Sequence, residues 1–272
     1  MRFSCKIFLK RETNISKDYR SHLLSLIKEA IKRSGSDGEE FYDRFYSGNN
    51  TKPFTFSAYF PLKDGRLNED FFTFYFSTND YEFLMRVYNG FMNINKSKDF
   101  QLFDNKSDNE SDKKIEIKNF FLMPERRFDI DVATFKTLSP FLVRDIEDGK
   151  NYLYPKGFSL QTKDQMKEPT HWKSWIGKRE GEFLEAMEFS LSSMLNKMGY
   201  NLQDIKITLD DKSTIVPIIH GSGNKDHPFQ MTFPGIKGLL TIKAEPEILK
   251  LIYDIGIGAR RSEGFGMLEV VE

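Results

Sequence analysis

The sequence predicts an α+β protein built as two like halves, and three observations carry that prediction. Residues 1–128 run strand, helix, strand, strand, helix, strand; residues 129–272 return to a similar order less cleanly; and apolar residues alternate in the strands but recur at helical spacing between them. Split βαβ units with antiparallel sheets account for both orders, so each half reads as a ferredoxin-like βαββαβ domain. No internal sequence repeat is visible.

In the first half, residues 2–9 alternate as a strand, and residues 18–33 form an amphipathic helix with Leu23, Leu26, Ile27, Ala30 and Ile31 on one stripe. Residues 53–60 and 71–77 are strands rich in Phe, Tyr and Thr, with Asp64 and Gly65 as turn residues between them. A second helix is expected over 80–91 and a strand over 114–121, joined by a polar connection over 93–113. The second half offers strands over 135–143 and 151–154, a helix over about 179–198, and strands over 202–220 and 229–242. A short helix follows from Glu245, with Pro246 in its first turn, and residues 266–271 read as a closing strand.

Composition excludes several classes of function. The 40 basic and 40 acidic side chains cancel, so no global field draws the chain to nucleic acid, and any charge that matters must be local. No apolar run approaches the roughly 20 residues of a membrane span, and the first residues alternate like a strand rather than a signal peptide. One cysteine, Cys5, supports neither an internal disulfide nor a cysteine zinc site; its expected place is the core, and the expected compartment is the cytoplasm. Between Lys156 and Glu180, six basic residues are interleaved with His171, Trp172 and Trp175. That mixture suits single-stranded RNA, and equally a solvated loop anchored by its tryptophans.

The most specific string lies near the C-terminus, Gly256-Ile257-Gly258-Ala259-Arg260-Arg261-Ser262-Glu263-Gly264-Phe265-Gly266, between the short helix and the closing strand. Glycines permit positive φ and close backbone approach, so the loop is expected to offer N–H groups to phosphate, with Arg260 and Arg261 exposed as charge and forked donors. A dinucleotide fingerprint fails because Arg261 stands where its third glycine belongs, and a P-loop fails for want of Gly-Lys-Ser/Thr.

This loop closely resembles that of the CRISPR-associated endoribonucleases that cut repeat RNA, the sixth Cas family of the RAMP superfamily. Leu23-Leu24-Ser25-Leu26-Ile27, Lys52-Pro53-Phe54-Thr55-Phe56-Ser57 and Thr137-Leu138-Ser139-Pro140-Phe141-Leu142-Val143 resemble the same family's first helix, second strand and start of the second half. The resemblance implies tandem RAMP-like domains and repeat RNA bound by Gly256, Gly258, Arg260, Arg261, Ser262, Gly264 and Gly266. It also implies cleavage without metal or cofactor, in which a ribose 2′-OH attacks the adjacent phosphate to leave a 2′,3′-cyclic phosphate and a 5′-OH. Other CRISPR effector subunits and a second copy of the chain stay open as partners; a membrane does not.

Such a reaction uses a base, an acid and a cation beside the phosphate. The histidine of many relatives stands six residues before the lysine that opens a Lys-x-Phe-Thr strand; here that lysine is Lys52 and Tyr46 occupies the histidine position. Tyrosine, with a pKa near 10, is a poor base at neutral pH but can donate a hydrogen bond or act as an acid. His22, at the border of the first helix's apolar stripe, is the other candidate base, and Lys28 borders the opposite side. His220 and His227 flank a glycine-serine loop and read as turn residues. The four histidines show no zinc spacing, so no metal centre is expected. Two alternatives remain: a non-catalytic RNA-binding subunit of a CRISPR effector complex, and a general binder of single-stranded RNA.

Overall fold

The computed structural model describes residues 1–9, 13, 15–48, 50–64, 66–103, 115–144, 151–153, 175–177, 180–200, 205–220 and 231–271. The chain divides into two units, Met1–Glu125 and Arg126–Glu272. Each is a ferredoxin-like domain, and no described helix is long and apolar enough to cross a membrane.

In the first unit, β1 (Arg2–Phe8), β2 (Phe54–Tyr59), β5 (Phe71–Thr78) and β6 (Glu116–Leu122) form an antiparallel sheet in the order β2-β5-β1-β6. Strands β3 (Leu62–Lys63) and β4 (Arg66–Leu67) make a small hairpin between β2 and β5. Period-two alternation sends Phe3, Cys5 and Ile7 of β1, and Phe72, Phe74 and Phe76 of β5, to one face, where they are at most 3% exposed. Helices α1 (Tyr19–Lys32) and α3 (Tyr81–Ser97) bring Leu23, Leu26, Ile27, Phe83, Val87 and Phe91 into the same core. Asp80 caps α3 by accepting from the Phe83 N–H at 3.0 Å, and the helix runs to Ser97, a turn and a half beyond the sequence expectation. Cys5 lies in this core as expected, and burial pushes its thiol pKa up.

The sequence reading missed α2 (Gly38–Tyr46). Only Gly38 and Phe41 of its nine residues are buried, so its apolar stripe is too short to stand out. Its charge order is nonetheless favourable, with Glu39 and Glu40 in the first turn and Arg44 in the last. The N-cap residue Asp37 grips Arg86 of α3 through both carboxylate oxygens, and Arg86 also reaches Glu82 at 3.1 Å, which fixes the start of α2. Arg86 holds the Asp37 carboxyl down at about 2.

In the second unit, β7 (Val132–Thr137), β10 (Lys206–Leu209), β13 (Leu239–Lys243) and β14 (Leu268–Val270) repeat the arrangement in the order β10-β13-β7-β14. Helix α4 (Glu180–Lys197) contributes Phe183, Met187, Leu191 and Leu195 to its core, and α5 (Pro246–Ile255) contributes Ile248, Leu249, Ile252 and Ile255. Two expected long strands prove to be pairs. Residues 202–220 contain β10 and β11 (Thr214–His220), separated by a turn in which the Ser213 N–H donates to the Asp210 carbonyl; residues 229–242 contain β12 (Met231–Lys237) and part of β13. Strands β11 and β12 form a separate ribbon, and β8 (Asn151–Leu153) pairs in parallel with β9 (Trp175–Gly177). Strand β7 ends at Thr137, so residues 138–143, expected in the strand, leave the sheet.

Candidate RNA-binding and catalytic sites

Residues 138–143 leave the sheet because they receive the glycine-rich loop. The Gly266 N–H donates to the Pro140 carbonyl at 2.9 Å, the Ala259 N–H to the Leu142 carbonyl at 2.8 Å, and the Met267 N–H to the Ser139 hydroxyl at 2.9 Å. The loop also closes on itself: the Ile257 N–H donates to the Gly266 carbonyl at 2.9 Å, and the Gly264 N–H to the Arg261 carbonyl at 3.0 Å. Two separate family-like strings in the sequence are therefore one interlocked piece of backbone. Glycine is required where they touch. A Cβ on Gly266, at φ 69°, would lie 1.8 Å from the Ile257 carbonyl oxygen, and one on Gly258, at φ 79°, 2.4 Å from that of Leu142. The close approach expected toward RNA is thus made, at these two glycines, toward the protein itself.

The arginines are not the exposed pair the sequence suggested. Arg261 is 7% exposed and donates through Nη1 to the Ile255 carbonyl at the C-terminus of α5, at 3.1 Å. Burial lowers its pKa to about 10, so it stays charged at neutral pH, at the end of the helix that favours positive charge. Arg260, at φ 57°, has 25% of its side chain exposed, lies 4.8 Å over the Phe233 ring and donates to Glu263 at 2.7 Å. Among the described residues, its Nε is buried with no hydrogen-bond partner. Ser262 is half-buried in the 3₁₀ turn Arg261–Glu263. The Gly256 N–H ends α5 on the Ile252 carbonyl at 2.8 Å. Among the described residues, the N–H groups of Gly258, Arg260, Arg261 and Ser262 remain outside these internal bonds.

The first unit assembles a second cluster, of which the sequence displays Tyr46 and Lys52 but not Lys28. Tyr46 ends α2, and its ring stacks on Tyr42 one turn earlier, with centroids 4.5 Å apart and planes 11° from parallel. Lys52, in the segment before β2, places its ammonium 5.1 Å from the Tyr46 ring centre; Lys28 of α1 places its own at 5.0 Å. Lys32, one turn beyond Lys28, lies 4.5 Å from the Tyr42 ring and pairs with Glu39 at 3.2 Å, the hydrogen bond that chiefly raises its pKa. Among the described residues Lys28 has no carboxylate partner. The hydroxyl of Tyr46 is shielded from solvent.

The structure thus brings Tyr46 and Lys52 together, adds Lys28, and leaves His22 apart. The His22 ring stands edge-on to Phe103 at 5.2 Å, on the other border of the α1 stripe. Lys28 is legible in the sequence only as bordering the α1 stripe opposite His22, because its contact, Tyr46, ends α2, which was itself missed. His220 ends β11; His171, His227 and most of the basic aromatic stretch 156–180 lie outside the described residues. No group of three potential metal ligands occurs among the described residues.

Tandem ferredoxin-like units, the second carrying a glycine-rich loop before its last strand, give a RAMP-like fold. The family model described as CRISPR associated protein Cas6, C-terminal, matches residues 122–270, more than half of the chain, and the chain belongs to that family. Members of the family are CRISPR-associated endoribonucleases. Among solved structures, a Cas6-related protein from Pyrococcus furiosus is 20% identical, with a TM-score of 0.66 over 100% of this chain and 98% of that one. An RAMP protein binding different RNA substrates is 17% identical, with a TM-score of 0.67 over 100% of both chains. A CRISPR associated protein Cas6 is 17% identical, with a TM-score of 0.63 over 100% and 99%. At these identities the likenesses establish the fold. Comparison with curated proteins finds no match.

Proposed function

We propose that this protein binds CRISPR repeat RNA and cleaves the precursor transcript without a metal ion, giving 2′,3′-cyclic phosphate and 5′-OH ends. The observation that carries the reading is the gathering of Lys28 and Lys52 about Tyr46 in a chain of this family. In this reading the two ammonium groups stabilise charge on the phosphate under attack, and Tyr46 positions the RNA or donates a proton to the departing 5′ oxygen. Arg260 and the N–H groups of Gly258, Arg260, Arg261 and Ser262 hold RNA at the loop, while the Arg261 side chain supports it from within. His22 is the alternative base, and its packing on Phe103, away from the lysines, argues against that role.

One observation favours a second reading, a non-catalytic RNA-binding subunit. The Tyr46 ring is stacked and its hydroxyl shielded, an arrangement suited to holding rather than to proton transfer. Cognate repeat RNA incubated in EDTA separates the two. Cyclic-phosphate product supports the enzyme; tight binding with no product supports the subunit; and a strict divalent-metal requirement for cleavage overturns the proposed chemistry.

A further inference from the structure

The helices of the first unit cover one face of its sheet, and the opposite face carries an organised pattern of its own. Register places Glu116, Phe8 and Phe71 in one row across β6, β1 and β5, and Lys118, Lys6, Thr73 and Tyr59 in the next, continuing onto β2. The rings of Phe8 and Phe71 are 5.6 Å apart and tilted by 48°. Lys6 lays its ammonium 3.8 Å over the Phe71 ring and Lys118 places its own 5.7 Å over Phe8. A bulge in β6 at Asn119, φ 54°, lets Phe120 turn into the core against Phe3 and Tyr88 while Lys118 stays on the outer face.

This end of the face is partly open. Phe8, Phe71, Lys6 and Thr73 are half-buried, and Lys118 and Tyr59 are exposed, whereas Arg2, Thr55 and Ser77 at the other end of the same face are buried. Half-open aromatics on two central strands, each overlaid by an ammonium, fit a ligand with flat apolar faces and regularly spaced anions. A cation resting on an exposed ring is a weak contact, easily given up, whereas base stacking on an aromatic side chain strengthens binding by about fivefold to a hundredfold per base.

We propose that this end of the sheet is a stacking platform for single-stranded RNA, with Phe8 and Phe71 receiving bases and Lys6 and Lys118 moving from the rings to the flanking phosphates. The platform rests on the reading of the protein as RNA-binding, and it is a site separate from the Tyr46 cluster, which α1 and α2 build. Glu116, paired with Lys118 at 2.7 Å, is the one acidic side chain in the two rows and would release its lysine when a phosphate arrives.

The test uses fluorescence anisotropy of labelled oligouridylate with the full chain. Phe8→Leu with Phe71→Leu keeps apolar side chains but removes the rings, and is expected to bind at least about fivefold more weakly. Lys6→Gln with Lys118→Gln leaves the rings in place and should reduce the salt slope by about 1.4, from roughly 0.7 per phosphate contact on a single strand. Unchanged affinity in the leucine variant, or an unchanged slope in the glutamine variant, overturns the platform. Cleavage of cognate repeat RNA by the wild type, assayed alongside, separates the two claims: no cleavage together with ring-dependent oligouridylate binding would overturn the proposed enzyme and support the platform.

Discussion

The glycine-rich loop and the Tyr46 cluster are built on opposite principles. The loop is contiguous in sequence and closed in structure: its backbone bonds tie residues 256–267 to 138–142, and one of its two arginines is buried. The cluster is scattered over α1, α2 and the segment before β2, yet it gathers charge around a single ring. A conspicuous string can therefore mark backbone that holds its own shape, while a concentration of charge is gathered from lysines far apart in sequence.

Four groups of substitutions or conditions can break this contrast, and the largest effect is expected at position 46. An imidazole there would lie beside Lys28 and Lys52, whose charges favour its neutral, basic form. If the wild type lacks a general base, Tyr46→His should speed single-turnover cleavage toward the about 10²–10⁴-fold that acid–base catalysis supplies, less whatever misplacement costs. His22→Ala should leave the rate unchanged; a hundredfold loss with normal binding would make His22 the base.

Next in size are the glycines. Gly266→Val and Gly258→Val should lower the thermal midpoint of the protein, because each forces a side chain against a carbonyl and costs about 1–3 kcal/mol in backbone strain before the clash is counted. A Gly258→Val protein that keeps its Tm and loses only RNA affinity would return that glycine to the role of a phosphate cradle.

The two arginines should then separate. Arg261→Ala removes the donor to the Ile255 carbonyl and should cost about 1–3 kcal/mol of stability, read as a lower Tm. Arg260→Ala should leave Tm nearly unchanged, weaken RNA binding and reduce the salt slope by about 0.7. Equal behaviour of the two would mean the loop has no inside and outside.

The smallest effect concerns acid. Asp37 holds α2 to α3 with its carboxyl depressed to about 2 by Arg86, below the ordinary value near 4. A depressed carboxyl contributes stability that is full above its unfolded pKa and is lost as pH falls toward its folded one. The pair should thus be indifferent to pH near neutrality and weaken between about pH 4 and 2, a loss that Asp37→Asn should remove from the pH profile of Tm.

Much of the fold was legible because its elements carry strong periods: the α1 stripe of Leu23, Leu26, Ile27, Ala30 and Ile31 is fully buried, as its spacing predicts. Helix α2 was not legible, since nine residues with only Gly38 and Phe41 buried show no period; Tyr46 and Lys52 were readable as a pair, but the approach of Lys28 to Tyr46 was not. Strand breaks at 210–213 and before β13 were invisible because apolar residues continue on either side of them. The loop's string was readable, but its partner was not: nothing in residues 137–143 announces that their carbonyls will bind the loop's N–H groups.

The most direct test of the contrast is single-turnover cleavage of cognate repeat RNA in EDTA, at saturating enzyme, by Lys52→Ala and Arg260→Ala. The account predicts that Lys52→Ala slows the cleavage step by at least about tenfold, the equivalent of 1.4 kcal/mol of lost charge stabilisation, while Arg260→Ala reaches the wild-type rate once enough enzyme is present. A Lys52→Ala enzyme that cleaves at the wild-type rate, beside an Arg260→Ala enzyme that stays slow at saturation, would contradict it.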